Sequence, residues 1–145
     1  IARRRRHMSI RNSKETLRAY AFAICNKVFV IGQNCPKDLE YEFEEESTHF
    51  LLFEDEVPLA TARYRKTEKG FKLERFAVLK AARGKGYGMQ ILQAILHDLK
   101  DKKEVKYMHA QQQVIPFYEK VGFEKVGDLF EEAGIMHYKM KFARD

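Results

Sequence analysis

The stretch Glu74–Leu92, ERFAVLKAARGKGYGMQIL, holds the residues best suited to chemistry. Its centre, Arg83-Gly84-Lys85-Gly86-Tyr87-Gly88, sets three glycines at alternate positions just before an amphipathic segment. Glycine adopts positive φ without strain and lets a ligand come close to the backbone. Amides at a helix start have no intrahelical acceptor, and the helix dipole adds partial positive charge there. Such a nest holds phosphate or pyrophosphate, with Arg83 and Lys85 adding to the field. A phosphate-binding GxxxxGK[ST] loop is excluded because Gly86 follows Gly84-Lys85, and a GxGxxG dinucleotide loop because Met89 stands where the last glycine is needed. The pattern that remains is R-x-x-G-x-G, from Arg83, Gly86 and Gly88. A connection that binds nothing is the competing reading. It leaves the entropic cost of three glycines without a reason.

The candidate proton carriers lie on either side. Glu74 precedes the loop and, by strand parity, shares a face with Phe76 and Val78. It is a candidate base, or a carboxylate paired with Arg75 or a lysine. His109 is the alternative base, since its reference pKa of about 6.5 lies near working pH. His137 lies in the last strand region, and a structural role competes with function for both histidines. His49 and His97 read as structural or solvent-facing. Gln111, Gln112 and Gln113 form a polar trio, of which Gln111 or Gln112 could hydrogen-bond a ligand or simply end a strand. Glu44, Glu45, Glu46, Glu131 and Glu132 could attract a cationic acceptor or form a solvated acidic face. Cys25 reads as a buried small hydrophobe, and Cys35 sits before a proline in a turn. Two widely spaced thiols make neither a disulfide framework nor a zinc site, so no metal is expected.

These residues need elements to position them. Ser9–Arg11 reads as a short strand, and Ser13 as an N-cap for a helix with Leu17, Ala21, Ile24, Val28 and Ile31 on one face, ending near Gly32. Glu40–Glu46 reads as loop. His49–Phe53 and Val57–Tyr64 form a hairpin about Glu54-Asp55-Glu56, and Lys66–Gly70 turns into a third strand, Phe71–Leu79. After the loop Lys80–Gly86 comes a helix with Ile91, Leu92, Ile95, Leu96 and Leu99 as its apolar stripe. Val105–Ala110 is a strand and Ile115–Val121 a short helix broken at Gly122-Phe123. Strands near Phe123–Leu129 and Ile135–Phe142 are separated by Glu131–Gly134. The order is mixed α/β.

The chain has 145 residues and a 45% apolar fraction, enough for one domain with a real core. The formal net charge is +6, and Arg3–Arg6 supply four of those charges. Residues 1–7 are read as a leader or disordered arm and 8–145 as one domain. With the basic residues so confined, no nucleic-acid partner is expected. No apolar run approaches the roughly 20 residues a membrane helix requires, so a cytoplasmic protein is the expectation.

With Arg83, Gly86 and Gly88 between a strand and a helix, the chain resembles the GNAT superfamily of acyl-CoA-dependent N-acetyltransferases, whose motif is [RQ]-x-x-G-x-[GA]. Ile115-Pro116-Phe117-Tyr118-Glu119-Lys120-Val121-Gly122-Phe123 resembles the family's later element, A-x-x-F-Y-x-x-x-G-F. The likeness runs roughly from Ile10 to Phe142. Glu131–Met140 is similar to a small bacterial subgroup, except that Met136 stands where proline is usual.

The resemblance implies a twisted, mostly antiparallel sheet flanked by helices, with central strands splayed around acetyl-CoA. It implies that Arg83, Gly84, Lys85, Gly86, Tyr87, Gly88 and Met89 hold the pyrophosphate, and that the pantetheine lies along Phe76, Ala77 and Val78, with Gln112 and Phe117 nearby. An N–H near Ala77 or Val78 would face the thioester oxygen. Tyr118, at the family's tyrosine position, would protonate the departing thiolate; a core aromatic is the alternative. Gln111 and His137 would face the acceptor, a small-molecule or peptide amine. A homodimer is a further expectation, and a non-catalytic acyl-CoA sensor of the same fold is the alternative function.

Overall fold

A computed structural model describes residues 8–13 and 47–143. The expected first helix, Cys25, Cys35 and the acidic Glu40–Glu46 lie outside the described residues. Within them, seven strands form one sheet: β1 (Met8–Ser13), β2 (Ser47–Glu54), β3 (Val57–Thr67), β4 (Gly70–Val78), β5 (Lys106–Gln111), β6 (Phe123–Glu132) and β7 (Ile135–Phe142). Two described α-helices accompany them, α1 (Tyr87–Asp98) and α2 (Ile115–Val121). The strand order is β1-β2-β3-β4-β5-β7-β6. Neighbours are antiparallel except for β4 and β5. This is the mixed, mostly antiparallel sheet expected from the sequence.

The apolar stripe of α1 explains its position. Ile91, Leu92 and Ile95 are buried, as is Leu99 just past the helix. They pack on Phe50, Leu52, Ala60, Ala62, Phe71 and Leu73 of β2, β3 and β4. Truncating a residue such as Leu92 to alanine would cost about 2–5 kcal/mol. Gly86, at φ +78, caps the helix start, and the Leu99 amide closes its end on the Ile95 carbonyl at 3.0 Å. Gly122 ends α2 at φ +118, the left-handed conformation that favours glycine at a helix terminus.

Two irregularities set the site. First, β4 and β5 pair only at Phe71↔Lys106 and Lys72↔Tyr107. The Phe71 amide donates to the Val105 carbonyl at 2.7 Å, where the strands are pinned. Second, the β3–β4 register shifts: Thr61 faces Ala77, but Arg63 faces Glu74. Arg75 within this bulge has φ +62. The bulge breaks strand alternation, as an extra residue must. Phe76 and Val78 therefore pack on the same cluster as Phe71 and Leu73. Glu74 lies with Arg63, Arg65 and Lys72 on the other face. The parity expectation that put Glu74 beside Phe76 and Val78 is corrected on this ground.

Other boundaries moved less. β3 runs on to Thr67, and β6 continues through Glu132, so only Ala133-Gly134 joins β6 to β7. Both turn residues have positive φ, +52 and +77, as a two-residue hairpin turn requires. The expected separator Glu131–Gly134 is thereby corrected.

Candidate active site

Where β4 and β5 part, a cavity of about 910 Å³ opens between them. Its lining joins the glycine loop, the inner ends of β4 and β5, α2 and the β6–β7 turn. The cavity connects the α1 side of the sheet to the opposite face.

On the α1 side, Gly84 and Gly86 have φ +80 and +78, and a Cβ on either would meet no atom within 4 Å. The first α1 hydrogen bond runs from the Gln90 amide to the Gly86 carbonyl at 3.1 Å. The amides of Tyr87, Gly88 and Met89 therefore have no acceptor within the helix. Arg83 Nε donates to the Val78 carbonyl at 3.1 Å, tying the loop to β4.

That carbonyl also reveals the strand's orientation. The Leu79 amide donates to the Leu59 carbonyl at 2.9 Å. Antiparallel strands alternate hydrogen-bonded with non-bonded pairs, so Val78, opposite Ala60, turns its N–H and C=O away from β3 and towards the gap.

Tyr118 lines the cavity and is only 7% exposed. Phe76, Phe117 and Phe123 surround its ring at 5.1–6.1 Å. Burial pushes its phenol well above the ordinary tyrosine range, so it stays protonated at neutral pH. No hydrogen bond from its hydroxyl occurs among the described residues, so the alternative of a hydroxyl satisfied by a helix neighbour is not seen there.

The opposite face carries the charges. Glu74 Oε2 accepts from Arg63 Nε at 2.6 Å and Arg65 Nε at 3.2 Å, and Oε1 lies 3.6 Å from Lys72 Nζ. Burial works to raise the Glu74 pKa, but Arg63, Arg65 and Lys72 outweigh it and hold the carboxyl below its usual range.

Across the gap, His109 Nδ1 lies 2.9 Å from Glu132 Oε1. The other Glu132 oxygen is 3.8 Å from His137 Nε2, while His137 Nδ1 donates to the Ile135 carbonyl at 2.7 Å. Phe130 packs edge-on to His109 at 5.1 Å and stacks on His137 at 5.9 Å.

The cavity gathers most of the residues expected from the sequence. Glu74, Phe76, Ala77, Val78, Arg83, Gly84, Gly86, Tyr87, Gly88, Met89, His109, Gln111, Phe117, Tyr118 and His137 all line it. Lys85 and Gln112 do not; both are exposed, and it is Gln113 that bonds Gln111, at 2.8 Å. His49 is buried and His97 exposed. Glu74 takes the paired alternative, with Lys72 as the lysine, but its arginine partners are Arg63 and Arg65; these two and the pairing of Glu132 with His109 were not expected. The hairpin turn at Ala133-Gly134 was the one sequence signal that could have placed Glu132.

This sheet and glycine-capped helix define the acyl-CoA N-acyltransferase class of fold. An acyl-CoA N-acyltransferase from Pseudomonas aeruginosa superposes with a TM-score of 0.83 at 24% identity, covering 96% of this chain and 100% of that one. The PaiA N-acetyltransferase of Thermoplasma acidophilum, solved in complex with coenzyme A, shares the fold with a TM-score of 0.67 at 14% identity, over 93% and 98% of the two chains. The pattern of the acetyltransferase (GNAT) domain matches residues 12–144. The uncharacterized N-acetyltransferase YjcF of Bacillus subtilis is 37% identical over 123 residues, covering 83% of this chain and 88% of the relative. The chain belongs to the GNAT superfamily of N-acetyltransferases.

Proposed function

We propose that this protein transfers the acetyl group of acetyl-CoA to a primary amine of a small molecule or peptide, by direct attack in a ternary complex. The observation that carries the reading is the parting of β4 and β5 after two residue pairs. It joins the glycine-capped end of α1 to His109 through a single cavity. The coenzyme A bound by the Thermoplasma protein of the same fold supports the donor.

The amides of Tyr87, Gly88 and Met89, with Arg83 beside them, suit a pyrophosphate. The pantetheine would extend β4 across the gap, with the Val78 N–H directed at the thioester oxygen. One such donor is worth roughly 2.7–4 kcal/mol in the transition state. His109 is the base we assign. A Glu74 carboxylate held by three cations is a weak proton acceptor, whereas an imidazole accepts near neutral pH. His109 Nε2 takes the amine's proton as nitrogen attacks the thioester carbon. The C–S bond then breaks, and the Tyr118 hydroxyl donates a proton to the departing sulfur. The products are an N-acetyl amine and free CoA thiol.

The test incubates the protein with acetyl-CoA and, separately, spermidine, glucosamine and an unblocked tripeptide, and follows thiol release. At least one amine should release CoA in proportion to N-acetylated product. Saturable CoA binding without release from any amine would favour an acyl-CoA sensor.

A further inference from the structure

We infer that Glu132 is a positioning residue for His109, fixing the ring so that Nε2 is the proton acceptor that faces the acyl group. The inference rests on the assignment of His109 as the base.

The argument starts at the β6–β7 turn. The Ala133-Gly134 hairpin ends β6 at Glu132, opposite Ile135. The Ile135 carbonyl accepts a hydrogen bond from His137 Nδ1. His137 lies beside Gln111 of β5, two residues beyond His109. Glu132 thus reaches across β7 to the end of β5, and its two oxygens address two imidazoles, at 2.9 and 3.8 Å.

An ionised carboxylate can only accept a hydrogen bond. A neutral His109 that bonds Glu132 must therefore carry its proton on Nδ1 and leave the Nε2 lone pair free to accept. The opposite tautomer would present an N–H to the incoming amine and could not take its proton. Ring orientation is fixed as well. Phe130 stands against the His109 ring at 5.1 Å and Tyr107 at 6.1 Å. The titratable and charged groups around Glu132 are His109 of β5, His137 of β7 and Lys72 of β4. They keep it ionised: the hydrogen bond from His109 lowers its pKa most, and burial only partly opposes this.

Glu132→Gln tests the role, because an amide can donate or accept and so no longer selects a tautomer. Histidine-selective ¹⁵N NMR reads the ring without any substrate, with the His109 signals assigned by their loss in His109→Gln. Wild type should show His109 protonated at Nδ1, Glu132→Gln a mixture or the Nε2 tautomer, and Glu132→Asp recovery of the wild-type pattern. With acetyl-CoA and the fastest amine of the panel, Glu132→Gln should lower kcat about tenfold or more. KM for acetyl-CoA should stay unchanged, and Glu132→Asp should restore part of kcat. An unchanged His109 tautomer in Glu132→Gln, or full kcat in that variant while His109→Gln is inactive, overturns the positioning role alone. Full kcat in His109→Gln removes the base assignment itself, leaving the acetyl transfer established by thiol release.

Discussion

Gly86 offers a clean measure of the glycine loop, because the cost of altering it divides into two separable parts. At φ +78 an alanine is strained, and the left-handed region costs a non-glycine residue roughly 1–2 kcal/mol. The added Cβ meets no protein atom within 4 Å, so no clash adds to that figure. Gly127 makes a matched control. It has φ +77 and the same open surroundings, but it sits in the β6 irregularity and does not line the cavity. Gly86→Ala and Gly127→Ala should therefore lower Tm alike, by roughly 3–6 °C. Their effects on CoA should diverge. In Gly86→Ala the added Cβ stands in the open space of the cavity where the pyrophosphate would lie and holds it off the α1 amides. Each hydrogen bond lost to a charged group is worth about 1.5–3 kcal/mol, which is roughly a 10- to 150-fold rise in Kd. Gly127→Ala should bind CoA like wild type. Calorimetric titration with CoA, alongside thermal melts, measures both parts. Equal CoA affinity in the two variants, with Gly86→Ala folded, would refute the placement of the pyrophosphate at this helix end.

Two further outcomes are expected. Tyr118→Phe should keep CoA affinity and fold, since the ring contacts persist, while kcat falls by roughly 10²-fold; stopped assays of thiol release measure this, and wild-type turnover would remove Tyr118 from the proton path. Glu74 should make stability depend on acid. Its folded pKa lies below the ordinary carboxyl value of 4.5, so its contribution is present above about pH 4.5 and is lost as pH falls through the folded value. Glu74→Gln should then be less stable at neutral pH, by about 3 kcal/mol, and less sensitive to pH in that acidic range; urea midpoints that show the same pH slope in both proteins would refute it.

The sequence made local periodicity legible and left geometry across strands hidden. The apolar stripe of α1 and the Gly122 break after α2 gave both helices close to their observed bounds. The glycine loop was legible because positive φ and close approach demand one residue type. Glu74 was misplaced because alternation assumes an unbroken strand, and nothing in ERFAV marks Arg75 as left-handed. Glu132 was read as one of several surface acids for a similar reason. The β6–β7 turn is short, and its acidic flank looks like loop. Only the strand order β5-β7-β6 brings that carboxylate to His109.

The width of the cavity depends on where β4 and β5 are allowed to touch. Gly70 begins β4 with φ +129, and a Cβ there would stand 2.2 Å from the Val105 carbonyl oxygen. Only glycine lets that carbonyl approach and accept the Phe71 amide at 2.7 Å. The strands are thus pinned at the end remote from the glycine loop, and the sheet's right-handed twist acts on the unpaired remainder. The Arg75 bulge then decides what each side of the opening presents. It turns Phe76 and Val78 towards Tyr118 and α1, and leaves Glu74 with its cations on the face that also carries His109. An unbulged β4 would send either the aromatic wall or the ion-paired carboxylate to the wrong side. One pinned junction and one extra residue are therefore enough to put an apolar wall that carries Tyr118 and a polar wall that carries Glu74 and His109 on opposite sides of the same gap.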